Sequence, residues 1–337
     1  MDAFTLLILI VAATLAFEFA NGWHDAANSI ATVVSTRVLT PMAAVAWAAF
    51  WNFVAAFTMR TAVASTMSKS LVRLELVNEY VLLAGLLGAI IWNLVTLWLG
   101  LPVSSSHALM GGYGGAAVAK AGIEAIIVSG WVKPVLFIFL APFIGLFAAL
   151  LVTVGTSWLV HRQAPERVDR WFRRLQVLSA AGYSLGHGMN DAQKGMGIIW
   201  AALLTYAVAS GTVLPQAEHP PWWVIIACHA AIAGGTMAGG WRIVKTMGQR
   251  ITKLNPFGGF AAEAAGTLTL VGTAHAGIPV STTHTITGAI IGVGATRRLT
   301  AVRWGVTRRI VWAWVLTIPC SAIMGALFFY LFQALGA

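Results

Sequence analysis

The chain has 337 residues, of which 58% are hydrophobic and only 9% charged. A soluble domain carries about 25% charged residues, so a water-covered globular enzyme is excluded and a polytopic membrane protein is expected. The net charge of +10 does not point to nucleic acid, because the basic residues fall in short loops between apolar runs, the pattern of membrane topology.

Apolar stretches lie near 4–34, 41–60, 80–99, 102–119 and 134–160, and a second set near 176–205, 222–241, 259–276, 279–295 and 305–335. A span needs about 20 apolar residues. The first stretch exceeds one straight span and reads as interrupted at Asn21-Gly22-Trp23-His24-Asp25. Those after Pro102 and Pro279 are short and rich in Gly, Ser and Thr, and read as broken or hairpin helices. The expected fold is therefore all-α with about 10–12 transmembrane segments. Met1-Asp2-Ala3 carries no basic n-region, so no cleavable signal is expected. Cys228 and Cys320 sit in apolar runs and read as packed thiols, not as a disulfide framework.

Loops 161–175, 242–258 and 296–309, with Arg37, hold 15 of the 21 basic residues. Ten spans place all of them on one side, which the positive-inside rule makes cytoplasmic, in a cell (inner or plasma) membrane with both termini outside. Arg60, Lys69, Arg73, Lys120 and Lys133 fall on the other side and Lys194 within a span. Residues 162–175 read as an amphipathic cytoplasmic linker with Trp171 and Phe172 at the interface. It separates a first transmembrane repeat, 1–161, from a second, 176–337.

The repeat is visible in two blocks. Gly22-Trp23-His24-Asp25-Ala26-Ala27-Asn28 aligns with Gly188-Met189-Asn190-Asp191-Ala192-Gln193-Lys194 at an offset of 166. Pro102-Val103-Ser104-Ser105-Ser106-His107, with Gly111 and Gly115, aligns with Pro279-Val280-Ser281-Thr282-Thr283-His284, with Gly288 and Gly292, at an offset of 177. A longer loop at 206–221 absorbs the difference. Five spans per half place the halves in opposite orientations, the inverted-repeat plan of secondary transporters, whose site lies at the midplane between interrupted helices.

Glu18, Asp25, Asp191 and Glu263 fall inside apolar stretches, and a membrane-embedded ionisable group costs several kcal/mol without a partner, a cavity or water. Asp25 and Asp191 are repeat-equivalent and are the leading functional candidates; Glu18 and Glu263 are further ones, with Glu18 suited to a supporting role. Ser104, Ser105 and Ser106, like Ser281, Thr282 and Thr283, follow a Pro-Val pair. Proline favours the first turn of a helix, so these hydroxyls stand near free N–H groups at a positive helix end, an anion-binding arrangement. Small-residue helix packing is the alternative for either block alone.

Carboxylates beside an anion need a bridge. The bridge is a coupling ion such as Na⁺ or a divalent cation travelling with the anion near Asp25 and Asp191, a proton on the substrate, or a proton on the aspartate. Hydrogen phosphate has a P–OH that donates to a carboxylate and sulfate at neutral pH has none, so all three favour phosphate; a sulfate permease is the runner-up. The repeat-equivalent His107 and His284, together with His24 and His187, are candidates for proton handling. Lys194, where the first half has Asn28, either neutralises Asp191 or contacts an anion. Adjacent Ser106 and His107 cannot face each other on a helix, so no serine-protease pair follows, and no enzyme activity or resident cofactor is expected.

Gly22-Trp23-His24-Asp25-Ala26-Ala27-Asn28-Ser29, Gly186-His187-Gly188-Met189-Asn190-Asp191-Ala192-Gln193-Lys194-Gly195 and the two Pro-Val-Ser blocks resemble the signatures of the PiT family of inorganic phosphate transporters. The resemblance runs across nearly the whole chain. It implies an inverted-repeat fold, symport of phosphate with H⁺ or Na⁺, and a substrate site lined by Asp25, Asn28, Asn190, Asp191 and both hydroxyl blocks. His24 before Asp25 and Gln193-Lys194 after Asp191 look like the bacterial low-affinity branch, which implies proton coupling and neutral metal–hydrogen phosphate complexes, for instance with Mg²⁺. Coupling-ion candidates are then His24, Asp25, Asn28, Asp191, Lys194, His107, His284, Glu18 and Glu263. The expected partners are phosphate, cations and the lipid membrane, and the plan admits a homodimer.

Overall fold

A computed structural model of the chain describes residues 2–58, 64, 71–211, 219–278 and 280–336. Arg60, Lys69, Pro279 and the 212–218 part of the expected long loop lie outside the described residues. Eleven α-helices are present among the described residues, and strands are absent. They are α1 (Ala3–Ser35), α2 (Pro41–Val54), α3 (Glu79–Leu99), α4 (Ser105–Ala121), α5 (Val128–Val160) and α6 (Pro165–Ser210). They continue with α7 (Trp222–Ala238), α8 (Trp241–Lys245), α9 (Pro256–His275), α10 (Thr282–Arg297) and α11 (Trp304–Ala334). Among the described residues α1, α3, α5 and α11 are long and apolar enough to cross a membrane, and α7 with 241–250 makes a fifth, bent by 63°.

The two hairpins α3–α4 and α9–α10 are built by the same local chemistry. Asn78 caps α3 by accepting from Val81 N at 3.3 Å, and Asn255 caps α9 by accepting from Gly258 N at 2.9 Å. A left-handed glycine follows each first helix, Gly100 at φ +67° and Gly277 at φ +65°, where a side chain would strain the backbone. Ser104 then caps α4 through His107 N, at 3.3 Å, and Ser281 caps α10 through His284 N, at 3.2 Å. All three pairs keep the offset of 177, so the repeat extends well beyond the blocks that reveal it. At 17 and 16 residues, α4 and α10 are each about 25 Å long, short of the roughly 30 Å hydrocarbon layer. Each is one unbroken helix that enters on a hairpin.

Packing is exchanged between the halves. Helix α4 lies against α11, and α10 against α5. Gly111 and Gly115 meet the backbone of Ile318 and Ala322, while Gly288 and Gly292 meet that of Pro142 and Leu146. These glycines let helix backbones approach as small residues do in membranes. One apolar core joins the first half of α1 to α3 and α4; another joins its second half to α2, α9 and α10. The middle of α1, with Asp25, lies between them. Large apolar side chains remain exposed along α5 and α11, among them Leu151 and Leu327, as on surfaces solvated by lipid.

Four sequence expectations need correction. Helix α1 runs unbroken through Asn21–Asp25, because these polar side chains are turned into the protein rather than into lipid. Residues 165–175 are the first turns of α6 rather than a separate linker. Phe172 is not interfacial: it is buried against Phe257 and Phe260 at ring distances of 4.7 and 5.2 Å. Much of 242–258 is likewise helical, continuing α8 over Thr246–Arg250.

Candidate functional site

Four elements meet at the middle of the molecule: α1 with Asp25, α6 with Asp191, and the N-terminal turns of α4 and α10. None of the residues named for the site in the sequence is more than 4% exposed, so the cluster they form is buried from solvent.

On the α1 side, Asp25 Oδ1 pairs with His24 Nδ1 at 2.7 Å, and His24 Nε2 meets Thr96 Oγ1 at 3.2 Å. Thr282 and Thr283 donate to Asp25 Oδ2 at 3.3 and 3.5 Å. Asn28 Nδ2 donates to the same hydroxyls, at 3.3 Å to Thr282 and 2.9 Å to Thr283. On the α6 side, Lys194 Nζ lies 2.6 Å from Asp191 Oδ1 and donates to Ser106 Oγ. Hydroxyl blocks and carboxylates are thus crossed between halves: the α10 block serves Asp25 and the α4 block serves the Asp191–Lys194 pair.

His187 joins the two sides. Its Nε2 stands 3.5 Å from Asp191 Oδ2 and 3.9 Å from Asp25 Oδ2, while Nδ1 meets Asn52 Oδ1 at 3.1 Å. Among the described residues neither His187 Nε2 nor Asp191 Oδ2 has a hydrogen-bond partner, so both atoms face the chamber unsatisfied. Ligand atoms of Asp25, His187 and Asp191 lie within 4.8 Å of one another, close enough to hold one cation or one proton in common.

Not every candidate is placed alike. Ser104 and Ser281 are the helix caps, whereas buried Ser105 Oγ has no partner among the described residues. Asn190 Nδ2 bonds the carbonyls of Gly186 and Leu270, at 3.1 and 2.9 Å, so it braces α6 against α9. His107 and His284 stack edge to face with ring centroids 4.9 Å apart, and His284 lies flat on Trp314 at 3.8 Å. Glu18 accepts from Gly195 N at 2.8 Å, one residue beyond Lys194. Glu263 belongs to a different cluster, accepting from Thr32 and Ser179 at 2.5 Å each and from Gln176 at 3.2 Å.

Sequence reasoning missed Tyr183, whose hydroxyl donates to Thr282 O at 3.0 Å, and Asn52, which holds His187. Asn52 could have been flagged as a lone amide in an apolar run; nothing local marks Tyr183.

A family model for the phosphate transporter family matches residues 21–325. The chain belongs to the phosphate transporter family. Within it, the chain is 53% identical to a probable low-affinity inorganic phosphate transporter of Rhizobium meliloti (strain 1021), over 97% of both chains. It is 42% identical to a relative of the same description from Bacillus subtilis (strain 168), over 98% of each. A solved structure described as the sodium-dependent phosphate transporter superposes with a TM-score of 0.86 at 25% identity, covering 98% of this chain and 99% of that one. Family membership covers both Asp blocks and both hydroxyl blocks of the chamber, all of which fall within the matched residues.

Proposed function

We propose that the protein is a secondary active symporter that carries inorganic phosphate across the cell membrane by alternating access. The two halves, 1–161 and the part from α6 onward, then form an inverted pair joined at 161–164, with the arginine-rich ends in the cytoplasm. One observation carries the reading: carboxylates from α1 and α6 share a buried chamber with hydroxyls at the N-termini of two short helices. Helix N-termini supply N–H groups for a tetrahedral oxyanion, and Lys194 supplies charge. A P–OH of hydrogen phosphate gives the carboxylates a donor, which fully ionised sulfate lacks. Nothing in the comparisons favours the sulfate reading.

Thr282 and Thr283 bond Asp25, and Ser106 bonds Lys194, so phosphate binding exchanges those bonds rather than filling a preformed cage. That exchange is the differential contact that would couple binding to a change of state. For the coupling ion, the reading is a proton shared among Asp25, His187 and Asp191, with phosphate free to enter as a metal–hydrogen phosphate complex. An imidazole among the donors suits neither Na⁺ nor the hard Mg²⁺ ion as a direct ligand, which favours the shared proton. Sodium coupling is the second reading, favoured by the description of the solved relative.

Phosphate uptake in proteoliposomes, with proton, sodium and magnesium gradients imposed one at a time, tests this. An inward proton gradient should raise the initial rate and a protonophore should abolish the rise. A rise with sodium alone assigns coupling to Na⁺; sulfate uptake equal to phosphate uptake at neutral pH overturns the substrate. A finer expectation concerns the hydroxyls. Ser105→Ala and Thr282→Ala should raise KM for phosphate about tenfold, as expected for losing a hydrogen bond of ~1.5 kcal/mol to a charged group. Ser104→Ala should instead lower thermal stability by the ~1 kcal/mol of a lost helix cap. An unchanged KM in both of the first two variants would move the anion site elsewhere.

A further inference from the structure

The first turns of α6 present two faces with opposite chemistry. Phe172, Gln176 and Ser179 turn inward, to Phe257 and Glu263. The outward side carries Arg167, Arg170 and Arg174 along one edge and Trp171, Leu175 and Leu178 along the other. Trp171 is 44% exposed, Leu175 38% and Leu178 66%. At 1.5 Å per residue, Leu178 lies about 6 Å along the helix from Arg174. The arginines therefore run beside an apolar stripe that extends past them to Leu178, and with Trp171 they line a recess of about 460 Å³.

These three guanidinium groups are not held by ion pairs among the described residues. Arg173, on the adjoining face, pairs with Asp169 at 2.8 Å. Among the described residues no carboxylate lies within ion-pair distance of Arg167, Arg170 or Arg174, and Arg167 contacts only the amide oxygen of Gln163, at 3.0 Å. Arginine presents a fork of donors that matches phosphate oxygens, and the ring of Trp171 suits the headgroup level of a bilayer.

We infer that this outward face of α6 is a binding site for an anionic phospholipid, with the headgroup phosphate in the arginine recess and an acyl chain along Trp171, Leu175 and Leu178. A free phosphate ion shares the headgroup chemistry but has no use for the stripe, and the face points away from the transport chamber. The site would fasten the start of α6, the helix that carries Asp191, to the lipid surface.

Native mass spectrometry of the purified full chain, offered phosphatidylglycerol and phosphatidylcholine in competition, reads the site directly and does not depend on transport. The wild type should retain phosphatidylglycerol preferentially. The triple variant Arg167→Gln/Arg170→Gln/Arg174→Gln should lose about tenfold of that preference, whereas Arg308→Gln/Arg309→Gln, an equally basic pair on α11 that takes no part in the recess, should keep it. Should the triple variant fold poorly, Arg170→Gln alone should still show a partial loss. Equal preference in wild type and arginine variants overturns the site, as does an equal loss in the Arg308/Arg309 control. Displacement of the lipid by millimolar inorganic phosphate would make it an ion site instead.

Discussion

Phosphate uptake into proteoliposomes should fall to background in Asp25→Asn, with the variant still recovered as folded protein. Asparagine matches aspartate in size but removes the charge and turns one acceptor oxygen into a donor. At position 25 the partners are the hydroxyls of Thr282 and Thr283 and the imidazole of His24, all of which can re-form hydrogen bonds with an amide. The fold should therefore tolerate the change, while a cation or proton held between Asp25, His187 and Asp191 loses one of its three contacts. A drop of at least about 100-fold in initial rate, equivalent to ~2.7 kcal/mol, is expected. Asp191→Asn should be as inactive but less stable, because it strands the Lys194 ammonium that Asp191 Oδ1 neutralises at 2.6 Å. Measuring uptake and thermal unfolding on the same preparations separates the two effects. Normal uptake by both variants would remove these carboxylates from the mechanism.

What the sequence disclosed is what repeats locally. The pairs Asp25 and Asp191, Ser106 and Thr283, and Gly111 and Gly288 keep their offsets, and the structure brings all of them to the chamber or to the helix crossings beside it. What stayed hidden depends on neighbours distant in the chain. Thr32, Gln176 and Ser179 look like scattered polar residues until three helices bring them onto Glu263. The division of labour within each hydroxyl block was also illegible. A serine three residues before a histidine suits a cap or a ligand equally, and only the bonds to His107 N and His284 N assign Ser104 and Ser281 to capping. The break expected in α1 failed for a related reason. A polar run interrupts a hydrophobic pattern, but it need not interrupt a helix whose polar side chains are turned into the protein, as His24 and Asp25 are toward Thr96 and the α10 hydroxyls.

Lys194 offers the sharper test of whether the charges of the chamber are there for substrate or for structure. Lys194→Met removes the ammonium and leaves Asp191 buried without its counter-ion, with Ser106 losing its donor as well. Breaking one side of a buried pair costs ~3–5 kcal/mol, a large share of the 5–15 kcal/mol that holds a typical domain together. The single variant should thus unfold at markedly lower temperature in detergent. Adding Asp191→Asn removes the stranded charge, so the double variant should regain most of that stability, since a neutral pair of similar volume is often no worse than the ion pair it replaces. Uptake should remain at background in both. If Lys194 instead served only to attract the anion, the single variant would unfold near the wild-type temperature and show a raised KM, and the second substitution would restore nothing. A double-mutant cycle read by thermal unfolding therefore reports the Asp191–Lys194 coupling directly, and the uptake assay on the same four proteins reports whether that coupling is also the route by which phosphate binding reaches α6.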